Sequence, residues 1–572
     1  MTEPCAYVSL IETFPEQTAP KRGLYGWSTI AVDKILRKLF ITGGLKVMKE
    51  VKTFQQMYRD GHVNRREFLA AMGALGITAT TAGSLLGSAS ALASSPTRGG
   101  SVTFASNLHG PDDTLDPILG TSTIDYTRAN AMYNGLIQVG DDMSLHPELA
   151  EEWDVNDDAT QYTFKIRKGV AFHGGGELTA KDVVFSMNRH IAAGSPSSIK
   201  SFFASVIEWR AVDKYTVKLT LNSPDADMPI KLTQPQAKIV KANTMNWWEA
   251  GSGPYRMDSF QAGVKSTHSR NDNYWRDTGQ WLDGIEITAI TDPNARLNAL
   301  LAGSVDMITL INAKTIGRIE ESGNKVLSIP SGLYGGLCCL KNTAPGSDDD
   351  FVQGLRYIQD RERIVRKFLR GQGTVGNDHP INISYGGDHC SELPQIAYDP
   401  DKAKYHLNKS GINEAEAYVA PVIGFIEDAM LLMQANLKKI GFNLKIKKVP
   451  TDGYWGAVWM KEPLNVVTWN MRPTANSMMA IQFAPNGNWN DTFWNDDRMG
   501  MLLKDSLAET NPAKRHEMHC EMQKLVSTKS GMVIPAHTNI LDAHNPKIHG
   551  FSNCPLGQFG GNGWAEFIWK DA

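Results

Sequence analysis

The sequence predicts an α/β fold, on three stretches in which strand and helix periodicities alternate across turn residues. Leu282 to Ile308, "LDGIEITAITDPNARLNALLAGSVDMI", reads strand, helix, strand. Ile285 and Ile287 alternate, and Pro293 starts a helix carrying Ala295, Leu297, Leu300 and Leu301. The helix ends near Gly303, and Val305, Met307 and Ile308 form the next strand, which makes a βαβ unit. The second stretch, "MLLMQANLKKIGFNLKIKKV", is an amphipathic helix stopped at Gly441 and followed by a strand. In the third, Asp158 to Ile191, Tyr162, Phe164 and Ile166 alternate with polar residues, and Gly174 to Gly176 turn the chain. Thr179 is placed to N-cap a helix over Ala180 to His190, with Val183, Val184 and Met187 inward.

The remaining elements follow the same signals. Arg98 to Ser106 is a short β-like run after which the chain becomes richly patterned, and Asp213 to Leu221 alternates as a strand. "DDDFVQGLRYIQDRERIVRKFLRGQG" reads as helical with a Gly stop, and "YDPDKAKYHLNKSGI" as a helix ending near Gly411. "NPAKRHEMHCEMQKLVSTKS" reads as a helix entered at Asn511-Pro512, and Val466 to Thr468 as a core strand. There is no internal repeat and no long low-complexity linker.

The N-terminal region is of a different kind. Arg65 and Arg66 are followed by Phe68 and Leu69, and from Phe68 to Thr97 there is no Asp, Glu, Lys or Arg. Ala91-Leu92-Ala93 offers small residues at a cut. A charged segment, a mildly apolar segment and a small-residue cut make an export signal, and the arginine pair with Phe-Leu resembles the twin-arginine (Tat) type. The signal is expected over 48–93, with cleavage after Ala93. Residues 1–47 are too long for a signal's charged end, and are expected to be an upstream mis-start, disordered if made, with translation beginning at Met48 or Met57. The alternative is an uncleaved anchor, since Phe68 to about Leu92 has the length of a bilayer span, although its many Gly, Ser, Thr and Ala make a weak one.

Of the chain's 58 Lys+Arg and 61 Asp+Glu, the first 93 residues hold 11 and 7, which leaves 47 and 54, a net −7. That balance gives no electrostatic reason to expect nucleic acid or an anionic membrane. Five cysteines, Cys338, Cys339, Cys390, Cys520 and Cys554, follow the signal; their number is odd and their spacing shows no disulfide framework. Buried thiols are expected, with Cys338 and Cys339 on opposite sides of a strand. Asp388-His389-Cys390 with His379 nearby suggests metal, but no ligand pair has a closed-site spacing, so loop residues are expected there.

The order of motifs resembles family 5 extracellular solute-binding proteins of ABC importers, the dipeptide, oligopeptide and nickel-binding group. The resemblance is carried by "LDP" (Leu115 to Pro117), "MYNGLIQVG", "LHPELAEEWDVNDDATQYTFKIRKGVAFHGGGELTAKDVVFS", "GSGPYRM", "NYW", "NARLNALLAGSVDM", "DRERIVRKFLRGQG" and "YDPDKAKYHLNKSG", in the family's order over roughly 101–550. It implies a type II periplasmic-binding-protein-like fold, with two α/β lobes around a hinged cleft and an extra β-rich subdomain. Domain I would comprise 101–135, 255–332 and 537–572, the β-rich domain II 136–254, and domain III 333–536. Hinge strands would lie near Gly332 to Leu340 and Ile534 to Asn539. It also implies a periplasmic receptor that captures a small solute, a peptide or a peptide-like or anionic organic compound, and delivers it to two permease and two ATPase subunits while acting as a monomer; export by the Tat machinery is expected from the arginine-pair signal.

The resemblance places the ligand in a closing cleft, and the most loaded stretch is Val466 to Asp496. Its candidates are Trp469, Asn470, Arg472, Thr474, Asn476 and Trp489. In dipeptide-binding relatives the matching loop follows a Trp and supplies a carboxylate to the ligand's amino group. Here "WNMRPTANS" lacks the acid and carries Arg472, which favours a neutral or anionic ligand, because a guanidinium holds a carboxylate with two hydrogen bonds. The structural alternatives are an Arg472 pair with Asp491 or Asp496 and a core role for Trp469. Tyr334 is expected on the hinge facing the cleft, and His109, Thr121 and Tyr126 on the first lobe's wall; Tyr454 and Trp455 fit wall or core equally.

Two other functions compete, a Tat-exported enzyme and a metal or haem binder. The sequence has no GxSxG, HExxH, CxxCH or P-loop pattern, and no His-rich cleft spacing, so no cofactor, metal or catalytic residue is expected.

Overall fold

The computed structural model describes residues 96–571 apart from 107–112, 245, 278, 451–453, 486 and 488. The expectations on residues 1–47, on the signal residues Arg65, Arg66, Phe68 and Leu69, on the cut at Ala91 and Ala93, and on His109 lie outside the described residues. No helix among the described residues is long and apolar enough to cross a membrane.

A seven-stranded mixed sheet is built from residues far apart in sequence. Its order is Lys325–Ile329, Ile540–His544, Met307–Ile308, Ser101–Ser106, Gly284–Ala289, Lys265–Arg270 and Tyr255–Gln261. The predicted βαβ unit is present as Gly284–Ala289, helix Pro293–Leu301 and Met307–Ile308. Its two strands do not touch: Ser101–Ser106 lies between them and pairs in parallel with each. Asp292 caps the helix by accepting from the Ala295 amide at 2.7 Å, and Pro293 occupies the first turn where no amide donor is needed. Phe104 packs against Trp564 (ring centroids 5.1 Å apart) and Phe559 (5.7 Å), so the C-terminal residues close the core begun by the first strand.

A six-stranded sheet forms the second lobe, in the order Gly373–Val375, Met532–Thr538, Tyr334–Cys339, Leu464–Trp469, Glu414–Val419 and Asn443–Lys448. The helix Ile426–Lys439 ends before Gly441, whose φ of 90° turns the chain into Asn443–Lys448 as expected. "DDDFVQGLRYIQDRERIVRKFLRGQG" is two helices rather than one, Asp349–Tyr357 and Arg361–Lys367. The Asp360 carboxylate accepts from the Arg363 amide and restarts the second. An Asx cap and a helix interior have the same polar look in sequence.

The β-rich subdomain is a four-stranded antiparallel sheet, Ala150–Val155, Gln161–Ile166, Thr216–Leu221 and Val206–Asp213. The strand expected over Asp213 to Leu221 is present as Thr216–Leu221, while Asp213 ends the preceding strand and Lys214 and Tyr215 turn the hairpin between them. Helix Ala180–Ile191 covers this sheet; Thr179 and Asp182 form a reciprocal capping box, a feature that contributes about 1 kcal/mol.

Lys325–Ile329 and Tyr334–Cys339 lie in different sheets, and so do Met532–Thr538 and Ile540–His544. The chain therefore passes between lobes at 330–333 and again at Asn539. The two crossings run side by side. Ile329 pairs with Ile540, Tyr334 pairs with His537, and the Thr538 amide donates to the Leu333 carbonyl at 2.8 Å.

The absence of a disulfide framework is a misreading. Cys390 and Cys520 are bonded, 130 residues apart, because helix Pro512–Lys529 packs on the loop that carries Cys390; a pair brought together by tertiary packing leaves no spacing signal. Cys338, Cys339 and Cys554 are free and buried. Cys338 joins the core around Trp469 and Cys339 the core around Phe351, on opposite faces of one strand.

Asp542, on the strand beyond the second crossing, is fully buried. It accepts hydrogen bonds from the Leu310 amide (3.0 Å) and the Phe559 amide (2.7 Å), yet burial pushes its carboxyl up to about 7. The folded state therefore holds the proton more tightly than the unfolded one. The resulting stabilisation is complete below the unfolded carboxyl's range and is lost as pH rises through about 7. Asp542→Asn is expected to flatten the fall in melting temperature between pH 5.5 and pH 8; an unchanged slope in calorimetry at the two pH values counts against this role.

Candidate functional site

A cavity of about 1120 Å³ lies between the two sheets and the β-rich subdomain. The first lobe contributes Thr121, Tyr126, Arg296 and Asn312, the subdomain Ser198 and Gln236, and the second lobe Thr468, Asn470, Met471, Arg472 and Trp489. Leu333, Thr538 and Asn539 at the crossings form part of its wall. No Asp, Glu or His lines it among the described residues.

Among the described residues three cations reach that wall, and two have other duties. Arg296 is buried and donates to the carbonyls of Ile290, Thr291, Thr309 and Leu310, so its charge holds the loops around its helix. Lys314 sits 3.6 Å from Asp428 in an exposed pair. Arg472 is different. Its backbone amide donates to the Tyr385 hydroxyl at 3.2 Å, which fixes the loop, and its guanidinium lies over the Trp469 ring, 5.9 Å from the centroid. Its Nε is buried without a hydrogen-bond partner, and no carboxylate pairs with it among the described residues. Desolvation lowers its pKa, an effect that the facing hydroxyls of Tyr385 and Tyr126 oppose. The site thus presents a partly desolvated cation to a space bounded by amides, hydroxyls and apolar surface, which is suited to an anionic group.

Residues 144–492 match the description "Bacterial extracellular solute-binding proteins, family 5 Middle". The chain belongs to that family. Haem-binding protein A of Haemophilus influenzae is 26% identical over 475 residues, covering 74% of this chain and 85% of that protein. Di/tripeptide-binding protein 1 of Pseudomonas aeruginosa is 25% identical over 502 residues, covering 79% and 93%. Among solved structures, the binding protein AgaA from A. tumefaciens R10, in complex with agropinic acid, superposes with a TM-score of 0.66 at 24% identity, covering 83% of this chain and 99% of that one. The fold is of the type II periplasmic-binding-protein kind, two α/β lobes with an added β-rich subdomain.

In this family 5 protein, five expected residues face the cavity: Thr121, Tyr126, Asn470, Arg472 and Trp489. Four do not. Trp469 and Tyr334 are directly paired across adjacent strands and so share a face, but it is the face turned to the helices. The indole nitrogen of Trp469 donates to Asp491 at 2.9 Å, and the Tyr334 hydroxyl donates to Gln482 at 2.6 Å. Thr468 and Leu333, each one residue earlier, reach the cavity instead, since side chains alternate along a strand. Thr474 caps helix Ala475–Phe483, and its hydroxyl also meets Asp227 of the subdomain, a carboxylate that Arg515 grips as well. Asn476 is buried against a neighbouring helix, donating to the Leu503 carbonyl at 2.9 Å.

The suspected structural partners of Arg472 are occupied elsewhere. Asp491 is fully buried with Trp469 and Gln482 and is pushed up to about 6 by desolvation, while Asp496 caps helix Asp497–Ala508. Tyr454 is core, its hydroxyl donating to the Val466 carbonyl at 2.8 Å, and Trp455 is half exposed. Gln236, Ser198 and Asn312 were missed by sequence reasoning. They sit in loops such as "LTQPQAK", whose Pro and Gln carry no signal beyond a turn.

Proposed function

We propose that this family 5 receptor captures a small organic anion, a carboxylate without a free amine, and delivers it to the permease and ATPase subunits of an ABC importer. Arg472 carries the reading: a half-buried guanidinium whose Nε is buried without a partner and which has no counter-charge, in a wall that offers no acidic side chain, among the described residues. A ligand ammonium would find no carboxylate there among the described residues, whereas a carboxylate would offset the charge of Arg472. Thr121, Tyr126, Asn470 and Trp489 would complete the contacts, and Trp469 would support Arg472 from beneath. That one solved relative holds an organic acid is consistent with this class. The protein would work without a catalytic residue or cofactor, as a monomer in the periplasm after Tat export. Domain I (101–135, 255–332, 537–572) and domain III (333–536) would close about the crossings at 330–333 and Asn539, with domain II (136–254) riding on the first.

The relatives named for di- and tripeptides favour a second reading, a peptide ligand. Small molecules released by denaturing the protein taken from its native periplasm decide between the two by mass spectrometry. An enriched acid lacking an amine is the expected result, and an enriched zwitterionic dipeptide would overturn the anion reading in favour of the second.

A further inference from the structure

Helix Pro512–Lys529 places His516 and Cys520 one turn apart on a single face, and that face meets the loop bearing Cys390 and Glu392. The His516 Nε2 atom lies 3.4 Å from Cys520 Sγ and 3.4 Å from Glu392 Oε2. The same carboxylate oxygen lies 3.5 Å from Cys390 Sγ and 3.8 Å from Cys520 Sγ. One donor atom from each of the four residues falls within 4.8 Å of all the others. Around a tetrahedral Zn²⁺, with bonds of about 2.0–2.3 Å, neighbouring donor atoms stand roughly 3.3–3.8 Å apart; these four separations have that value, and the two sulfurs, bonded to each other here, would have to part to reach it.

The surroundings have the character of a metal site's outer shell. His516 Nδ1 faces the Gly387 carbonyl at 2.8 Å and must donate to it, which directs the other ring nitrogen at the two sulfurs and the carboxylate. Gln523 holds the loop: its oxygen accepts from the Cys390 amide at 3.0 Å and its amide donates to the Asp388 carbonyl at 2.8 Å. Glu392 is exposed, so an ion can enter from solvent. Two sulfurs, an imidazole and a carboxylate suit Zn²⁺ above harder cations.

We propose that the reduced Cys390–Cys520 pair, with His516 and Glu392, is a Zn²⁺ site, so that disulfide and metal are alternative states of one position. Opening the disulfide takes two electrons and two protons and yields two thiols; a phosphine reductant supplies the electrons and leaves as its oxide, with oxygen from water. Zn²⁺ then displaces both thiol protons to solvent and binds two thiolates, one imidazole nitrogen and one carboxylate oxygen.

The test uses the full-length chain, reduced with a phosphine, freed of reductant under nitrogen, and titrated with Co²⁺ and then Zn²⁺. One Co²⁺ per chain is expected, with thiolate-to-metal charge-transfer bands and the intense visible absorption of a tetrahedral ion, displaced by one Zn²⁺; the unreduced chain gives neither. His516→Ala and Glu392→Gln leave the disulfide in place, so their folding is checked in the oxidised form. After reduction each is expected to weaken Co²⁺ binding by about tenfold or more. A chain that unfolds on reduction, that takes up no stoichiometric metal, or that gives an octahedral spectrum without thiolate bands overturns the proposal. Variants that bind as the parent does overturn it also, since a bare dithiol or a His516–Glu392 ion pair would then explain the geometry.

Discussion

Arg472→Ala is expected to weaken binding of the recovered solute by about 30-fold to several thousand-fold, since truncating one partner of a desolvated charge pair costs about 2–5 kcal/mol. The same change is expected to raise the melting temperature of the unliganded protein. The guanidinium is partly desolvated, its buried Nε has no partner and no carboxylate offsets its charge among the described residues. Removing an unpaired charge from such a place relieves a desolvation cost, whereas removing a charge from an internal ion pair would destabilise. The two readouts separate a ligand contact from a structural pair: calorimetric titration measures the first and thermal unfolding without ligand the second. Arg472→Lys is expected to recover part of the affinity, because an ammonium keeps the charge but not the two-pronged geometry. Unchanged affinity in Arg472→Ala, or a fall in unliganded stability, rejects the assignment.

Gly531→Ala is expected to be the most damaging single methyl in the second lobe. Gly531 enters the strand Met532–Thr538, and its carbonyl accepts from the Cys339 amide at 2.9 Å. A Cβ at this position would fall on the Cys339 carbonyl oxygen, a backbone atom that cannot rotate aside, with the Thr492 Cβ only 3.1 Å away on another side. Relief requires separating Met532–Thr538 from Tyr334–Cys339, the two strands that lead into the crossings between lobes. The expected cost is about 4 kcal/mol, at the severe end for point mutations. Gly317→Ala is the matched control: it lies in helix Ile316–Glu321 with open space where its Cβ would stand, and is expected to be neutral or stabilising by up to about 1 kcal/mol. Chemical denaturation of both variants distinguishes steric collision from a general intolerance to glycine replacement.

The elements that sequence reasoning found are those whose cause is local. Thr179 with Asp182, Asp292 with Pro293, and the helix stops at Gly411 and Gly441 each depend on residues within a turn of one another, so their chemistry is written contiguously. Arg472 was conspicuous because it stands where a carboxylate was expected. The errors arise where the answer is set across the fold. Tyr334 is expected on the cleft and Trp469 on the cleft or in the core, and both turn to the core: alternation gives two phases, and which faces the cavity depends on the helices packed behind. Thr474 faces Asp227 across 247 residues, and Cys390 meets Cys520 across 130. Neither separation leaves a trace in local pattern, and the same holds for Gln236 and Asn312 on the cavity wall.

The position of Ile540–His544 within the first sheet, between Lys325–Ile329 and Met307–Ile308, governs the order in which the molecule can be made. The second lobe, from Tyr334 to Thr538, must leave the ribosome before that gap can be filled, and Trp564 must follow before Phe104 is covered. The first lobe therefore stays an open template throughout synthesis, while the subdomain and most of the second lobe are already complete in sequence. A chain stopped before Ile540 would keep an unpaired strand edge in the middle of a sheet, so it should be insoluble rather than a shortened receptor.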